Sequence, residues 1–249
     1  MLHPTVFIGD LTLVGVGPGD PSLLTLAAIN AIESATVVAY PVARRDGEGM
    51  AIKIASEWIR EGQQLLPLFF PMVSAAEPRK LAWREASNRL AVAVEDGERV
   101  AFLCQGDVSF FASSSYLLLD LKLHHPDCQI RLVPGVTAIA AAAAAGSWPL
   151  ALQQDQLLVL PTPDQPRDLE AILEEAACAG RVLALLKLGK RWTWVRPLLE
   201  KKGLLEGSLF AQRVGWSDQQ VLPGKEVSAA AKPYFSLLLV RQNWPKVMP

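Results

Sequence analysis

Apolar and polar positions fall in blocks along the chain, and the blocks alternate between two periods. Apolar runs at Leu11 to Val16 and Thr36 to Tyr40 predict buried strands, and Gln64 to Phe70, Arg99 to Cys104 and Ile130 to Val133 predict further strands. Pro41, Pro71 and the Pro134-Gly135 pair are expected to stop three of them. Between the runs, Ser22 to Ser34, Ala51 to Arg60, Pro78 to Glu95 and Phe110 to Leu123 predict helices. In the first helix, Leu24, Ala27, Ala28, Ala31 and Ile32 share a face. In the third, Leu81, Arg84, Glu85, Asn88 and Val92 lie near the helical repeats. Repeated strand–helix units of this kind predict a mostly parallel sheet with helices on both faces.

After Gly146 the texture changes. Pro149 and Pro161-Thr162-Pro163 interrupt the pattern, and Leu157 to Leu160 predicts a new strand. A helix over Glu170 to Cys178, a strand over Arg181 to Leu186 and a helix over Arg191 to Lys202 follow. Three strand-like runs then come in succession, Ser208 to Val214, Gln219 to Leu222 and Tyr234 to Arg241. Adjacent late strands predict a mixed sheet with antiparallel members. The reading is an α/β protein of two domains, residues 9–136 and 137–243, with the boundary between Gly135 and Pro149.

Composition narrows the function classes. Half of the 249 residues are apolar (51%), enough for real cores, so a disordered chain is excluded. Lys plus Arg (24) nearly balance Asp plus Glu (25), which disfavours a nucleic-acid binder. Three cysteines without a CxxC spacing argue against disulfides and structural zinc and fit a reducing cytoplasm. No basic segment followed by an apolar stretch opens the chain, so no signal peptide is expected. The run Val136 to Leu152 is mostly alanine, too weakly apolar for a membrane span, and predicts a buried helix.

Three motifs sit where strands end. Gly15-Val-Gly17-Pro18-Gly19-Asp20-Pro21 has glycines for a sharp turn or close approach, with Asp20 as a cap and Pro21 as a first helical residue. A dinucleotide site is one reading of it. The spacing is not GxGxxG, however, and the second strand ends Ala39-Tyr40-Pro41 without the expected acid. A tight strand-to-helix turn is the other. In Gln105-Gly106-Asp107-Val108, Asp107 is either an acceptor for a ribose or amine or a helix cap. Ser113, Ser114 and Ser115 follow as candidate donors. Val133-Pro134-Gly135-Val136-Thr137-Ala138 alone reads as a strand end and helix start.

Taken together, in this order and spacing, the three motifs resemble the tetrapyrrole methylases, over nearly the whole chain. Val37 to Val42, the Gly106-Asp107 loop running on to Ser113 and Tyr116, Leu186 to Lys190, and Tyr234 to Arg241 look most like the branch that methylates the C20 meso carbon of precorrin-2 or cobalt-factor II. One departure is Val108, where the family usually has proline. Gln105 is another, where a glycine or small apolar residue is more typical.

The resemblance implies a two-domain fold with a cofactor cleft between the domains, S-adenosylmethionine as methyl donor and S-adenosylhomocysteine as product. By motif position it places cofactor binding at Pro18, Gln105, Gly106, Asp107, Phe110, Ala112 and Ser113, and also at Leu186 and Lys187. Candidates for removing the proton after methyl transfer are Tyr40, Asp107 and Tyr116. The substrate carries many carboxylates. Gly17, Tyr40, Arg44, Arg45, Lys190 and Arg213 are its candidate contacts, the arginines suited to bidentate pairing. Lys187 and Arg191 add to the local positive charge. The expected partners are a tetrapyrrole and a second copy of the chain, with no nucleic acid or membrane. Another tetrapyrrole methylase, such as one acting on uroporphyrinogen III, or a non-catalytic binder of the same ligands, is the alternative. No metal is expected: adjacent His124 and His125 point apart, even with Cys128 nearby, and read as a loop pair, and His3 as a chain end. Trp83, Trp148, Trp192 and Trp194 are expected to pack in cores or an interface.

Overall fold

In a computed structural model of the chain, the structure describes residues 9–44, 46–73 and 75–244. Two compact units divide between Thr137 and Ala138.

The first unit holds a five-stranded sheet of β1 (Asp10–Gly15), β2 (Val37–Val42), β3 (Gln64–Phe69), β4 (Arg99–Cys104) and β5 (Ile130–Val133). Spatial order is β3-β2-β4-β1-β5, and every pairing is parallel. Helices α1 (Leu26–Ser34) and α2 (Met50–Ile54) pack on one face, and α3 (Ala76–Glu95) and α4 (Ser113–His124) on the other. The chain leaves β1 toward β2 but leaves β4 toward β5. The crevice at the carboxyl ends of the adjacent strands β1 and β4 is therefore a topological switch point, where such sheets bind ligands. Leu11, Leu13, Phe102, Leu90, Leu117 and Leu121 form the centre of the α3/α4-side core.

Several local expectations are corrected. The first helix does not run from Ser22. Pro21–Leu23 is a single 3-10 turn, Leu24 is extended, and α1 starts after Thr25, whose hydroxyl accepts from the Ala28 amide at 3.1 Å. Leu24, Ala28, Ala31 and Ile32 are buried there, but Ala27 is exposed. Pro41 lies inside β2 rather than ending it: β4 pairs only with Val37–Ala39, so the missing amide of Pro41 interrupts no ladder on that side. The stretch from Ala51 to Arg60 is the short α2 and a 3-10 turn at Ser56–Trp58. In α3 the buried face is Ala82, Ala86, Ser87, Leu90, Ala91 and Val94, while Leu81 and Val92 face solvent. Helix α4 begins at Ser113, three residues later than Phe110, because Phe111 adopts φ +52°.

The second unit contains α5 (Ala138–Ala145), β6 (Gln156–Pro161), α6 (Pro166–Ala179), β7 (Arg181–Leu186), α7 (Trp192–Lys201), β8 (Ser208–Gln212), β9 (Gln220–Pro223) and β10 (Ser236–Val240). The sheet order is β6-β7-β10-β8-β9. Only β6 and β7 are parallel, so this sheet is mixed. Trp192 and Phe210 lie at the middle of the core, and the Trp192 indole donates to the Ser228 carbonyl at 2.8 Å. Arg241, at the end of β10, is buried with its guanidinium over both Trp148 and Trp244, whose rings meet edge to face. It bonds the Asp155 carboxylate at 2.6 Å and the Pro149 carbonyl at 3.2 Å, and its Nε has no hydrogen-bond partner. A Cβ at Gly146 would stand 2.4 Å from Leu209 Cδ2, so a side chain there requires the Leu209 side chain to move. No described helix is long and apolar enough to cross a membrane.

Candidate active site

Strands β4, β1 and β5 are neighbours, so the loops after Gly15, Cys104 and Val133 leave the sheet side by side. Two glycines bond them reciprocally: the Gly17 amide donates to the Gly106 carbonyl at 3.2 Å, and the Gly106 amide to the Gly17 carbonyl at 2.7 Å. Both glycines have positive φ, +75° and +77°, which a side chain rarely adopts. The Gln105 side-chain amide adds a bond to the Pro18 carbonyl at 2.9 Å. The third loop is packed hard against the other two. A Cβ at Gly135 would lie 2.2 Å from the Gly106 carbonyl oxygen, and one at Gly15 would lie 2.6 Å from the Gly135 amide. A Cβ at Gly106, by contrast, would meet nothing within 4 Å. The junction is thus built from backbone, sealed on one side and open beside Gly106.

Asp107 does not cap α4; Ala112 occupies that position and makes no side-chain bond. The Asp107 carboxylate spans two loops instead. Oδ2 accepts from the Gly135 amide at 2.9 Å, and Oδ1 from the Ser109 amide at 2.9 Å and hydroxyl at 2.6 Å. Burial pushes this carboxyl up. The bonds from the Ser109 hydroxyl and from the amides of Gly135, Ser109 and Val108 outweigh it and hold Asp107 below the ordinary aspartate range. Val108 is buried in the first core, and its carbonyl accepts from the hydroxyls of Ser114 at 2.6 Å and Ser115 at 3.3 Å. The serines that looked like ligand donors therefore include two that fasten their own loop, and only Ser113 is exposed. The Ser114 hydroxyl also reaches Cys104 Sγ at 3.1 Å, and burial raises that thiol above its usual range. Phe110 and Phe111 meet edge to face at 5.0 Å, both exposed.

The remaining candidates are more scattered. Tyr40 is half-buried in β2, its ring against Gly49, where a Cβ would stand 2.5 Å from Cδ2. Arg44 is exposed just after β2, and Arg45 and His3 lie outside the described residues. Tyr116, on the first turns of α4, stacks on Trp83 of α3 at 4.3 Å with the rings 4° from parallel. In the second unit, the Leu186 carbonyl accepts from the Thr162 amide at 2.7 Å and hydroxyl at 2.8 Å. Lys187 follows at φ +58°, its carbonyl bonded by Arg191, which also pairs with Asp164. Lys190 is exposed. Arg213, at φ +48°, bonds Asp218 at 2.6 Å and lies over the Trp216 ring.

The structure thus brings Gly17, Pro18, Gln105, Gly106 and Asp107 into one bonded junction. Gly15, Gly135 and Ser109 complete it without having been singled out as site residues. Each glycine stands at or just after a strand end, the signal that marks them. His124 bonds Arg84, and His125 bonds Asn88 at 2.9 Å. Among the described residues no three His, Cys, Asp or Glu side chains group to hold a metal.

Residues 10–230 match the model of the family Tetrapyrrole (Corrin/Porphyrin) Methylases. Cobalamin biosynthesis protein CobIJ of Mycobacterium tuberculosis is 35% identical over 240 residues, which are 93% of this chain but 46% of that protein. This chain therefore spans about half the length of that relative. The cobalt-precorrin-2 C(20)-methyltransferase of Salmonella typhimurium is 29% identical over 244 residues, 95% of this chain and 98% of that one. Among solved structures, uroporphyrin-III C-methyl transferase from Thermus thermophilus, complexed with S-adenyl homocysteine, has a TM-score of 0.64. It is 22% identical, with 94% of this chain and 98% of that chain covered.

Proposed function

The chain belongs to the tetrapyrrole methylases, and on that premise we propose that it methylates the C20 meso carbon of precorrin-2 or its cobalt-containing counterpart. The observation that carries this reading is end-to-end similarity, 95% of this chain against 98% of a cobalt-precorrin-2 C(20)-methyltransferase. On this reading the protein works in cobalamin biosynthesis, as a homodimer in the cytoplasm.

S-adenosylmethionine, when bound, supplies an electrophilic methyl group. The junction at the ends of β1, β4 and β5 suits such a ligand. It is backbone-lined, needs no charged cluster, and is open beside Gly106, where a Cβ would meet nothing within 4 Å. Pro18, Gln105 to Asp107, Phe110, Ala112 and Ser113 hold it in this reading. The acceptor carbon is enamine-like and already nucleophilic. The work left to the protein is alignment and exclusion of water, which together can account for most of the acceleration. Loops fixed by short backbone contacts supply such rigidity.

The acidic acceptor is held by basic side chains. Arg44 and Lys190 are exposed, and neither forms an ion pair among the described residues. Arg213 is already paired with Asp218, so it serves a substrate carboxylate only by exchanging that partner. For the proton that leaves C20, Tyr40 or Tyr116 fits better than Asp107, whose two oxygens are both engaged.

Anaerobic incubation with S-adenosylmethionine and either metal-free precorrin-2 or cobalt-factor II, read by mass spectrometry, tests the reading. One methyl gained at C20 on either acceptor is the expected result, and the relative rates assign the metal state. No methyl on either, with S-adenosylhomocysteine still bound, rejects the C20 assignment and leaves another acceptor such as uroporphyrinogen III, or a binder without turnover.

A further inference from the structure

The side chains of Gln105 and Asp107 sit in the loop that carries the open position at Gly106, yet both point along the protein rather than out of it. Gln105 reaches back to the Pro18 carbonyl in the first loop at 2.9 Å. Asp107 reaches across to the Gly135 amide in the third loop at 2.9 Å, and its other oxygen stiffens its own loop through Ser109. Gly106 lies between these two arms. Its carbonyl is committed to Gly17 and pressed against Gly135, while its Cα side faces open space. The two flanking residues therefore fix the position of Gly106, beside which a Cβ would meet nothing within 4 Å.

We propose that Asp107 and Gln105 are positioning residues, a two-armed clasp that holds the three loops in register so that backbone at Gly106 meets the methyl donor. This rests on the reading that the junction binds S-adenosylmethionine. The clasp gives Asp107 a role other than proton acceptor. A carboxylate is required because it must receive N–H and O–H donors on both oxygens at once. An amide has one acceptor oxygen, and its NH2 would face a donor on the other side. That mismatch leaves a donor of one loop unsatisfied and separates the third loop from the second.

Titration calorimetry with S-adenosylhomocysteine, with no tetrapyrrole present, reads the clasp directly. Asp107→Asn is expected to weaken binding by roughly tenfold or more, the scale of one lost charge-assisted bond with an unpaired donor left behind. Gln105→Met, of similar size, is expected to weaken it in the same direction. Ser109→Ala removes one of the three donors to Asp107, leaves the arm to Gly135 in place, and is expected to weaken binding by less than Asp107→Asn does. In turnover, Asp107→Asn should raise the KM for S-adenosylmethionine by more than it lowers kcat, and leave the KM for the tetrapyrrole unchanged.

Two results overturn the proposal. One is wild-type affinity in both Asp107→Asn and Gln105→Met. The other is unchanged affinity with a kcat loss of about 100-fold or more in Asp107→Asn, the signature of a general base. If Asp107→Asn does not fold, Gln105→Met carries the test by itself. Failure of the wild type to bind S-adenosylhomocysteine overturns the cofactor reading and the clasp together. Loss of the clasp signature with wild-type binding intact overturns the clasp alone.

Discussion

Gly135 shows how little tolerance the junction has at single residues. An added methyl would stand 2.2 Å from the Gly106 carbonyl oxygen, and the neighbouring atoms are backbone, which has no rotamer to move into. Gly135→Ala is expected to destabilise the protein by about 1–3 kcal/mol, the usual cost of forcing extra volume into packed structure. It is also expected to weaken binding of S-adenosylhomocysteine, because the loops must part. Urea unfolding and calorimetry together check this; an unchanged midpoint with unchanged affinity would mean the third loop is free to shift. The identity of these residues was visible in the sequence, since glycines at three strand ends are a pattern. What Asp107 does was not visible. Its partner Gly135 lies 28 residues on, and a carboxylate aimed at a backbone amide has the same sequence signature as one aimed at a ligand.

At the scale of elements, continuous buried runs were the most legible. Strands β4 and β7 occupy the residues expected, because in each a leading arginine is followed by an unbroken apolar stretch; β5 also does, marked by the Pro134-Gly135 stop rather than by burial. Helix faces were less so. In α3 half of the six buried residues, Ala82, Ala86 and Ala91, are alanines, which permit close approach by being small. The larger Leu81 and Val92, which hydropathy favours, point outward. The start of α1 was misplaced for a different reason: Asp20 and Pro21 carry a real capping geometry, but they cap one 3-10 turn, and Thr25 caps the helix.

The segment joining α5 to β6 is pinned by Arg241, whose guanidinium holds Asp155 and the Pro149 carbonyl and lies beside two tryptophans. Asp155→Ala leaves that buried cation without its carboxylate, and a loss of about 3 kcal/mol is expected. Denaturant unfolding measures it; a loss below about 1 kcal/mol would place the guanidinium in contact with water.

For the whole molecule, the balance of charge says little about partners but the placement of two carboxylates says something about acid. Asp107 lies below the ordinary range, burial being outweighed by its hydrogen bonds. Asp155 lies below it chiefly through its bond to Arg241. A depressed folded pKa favours the folded state once pH exceeds the unfolded value, about 3.9 for aspartate, and that contribution is lost as pH falls through the folded values. Thermal stability is therefore expected to stay level from neutral pH to about 5 and to fall below about 4. Asp155→Asn should flatten part of that fall. A melting temperature that declined already between pH 7 and pH 5 would point to other groups.

Strands β4, β1 and β5 are neighbours in space, but the residues they bring together are numbered 15, 106 and 135. No stretch of chain shorter than that contains the junction. On the ribosome, the junction comes into being only after Gly135 has emerged and β5 has joined the sheet's edge. If the methyl donor binds there as proposed, it recognises only chains whose first unit is assembled, and by mass action it adds its binding energy to that assembly. Supply of S-adenosylmethionine in the cell would then influence how much of this protein persists.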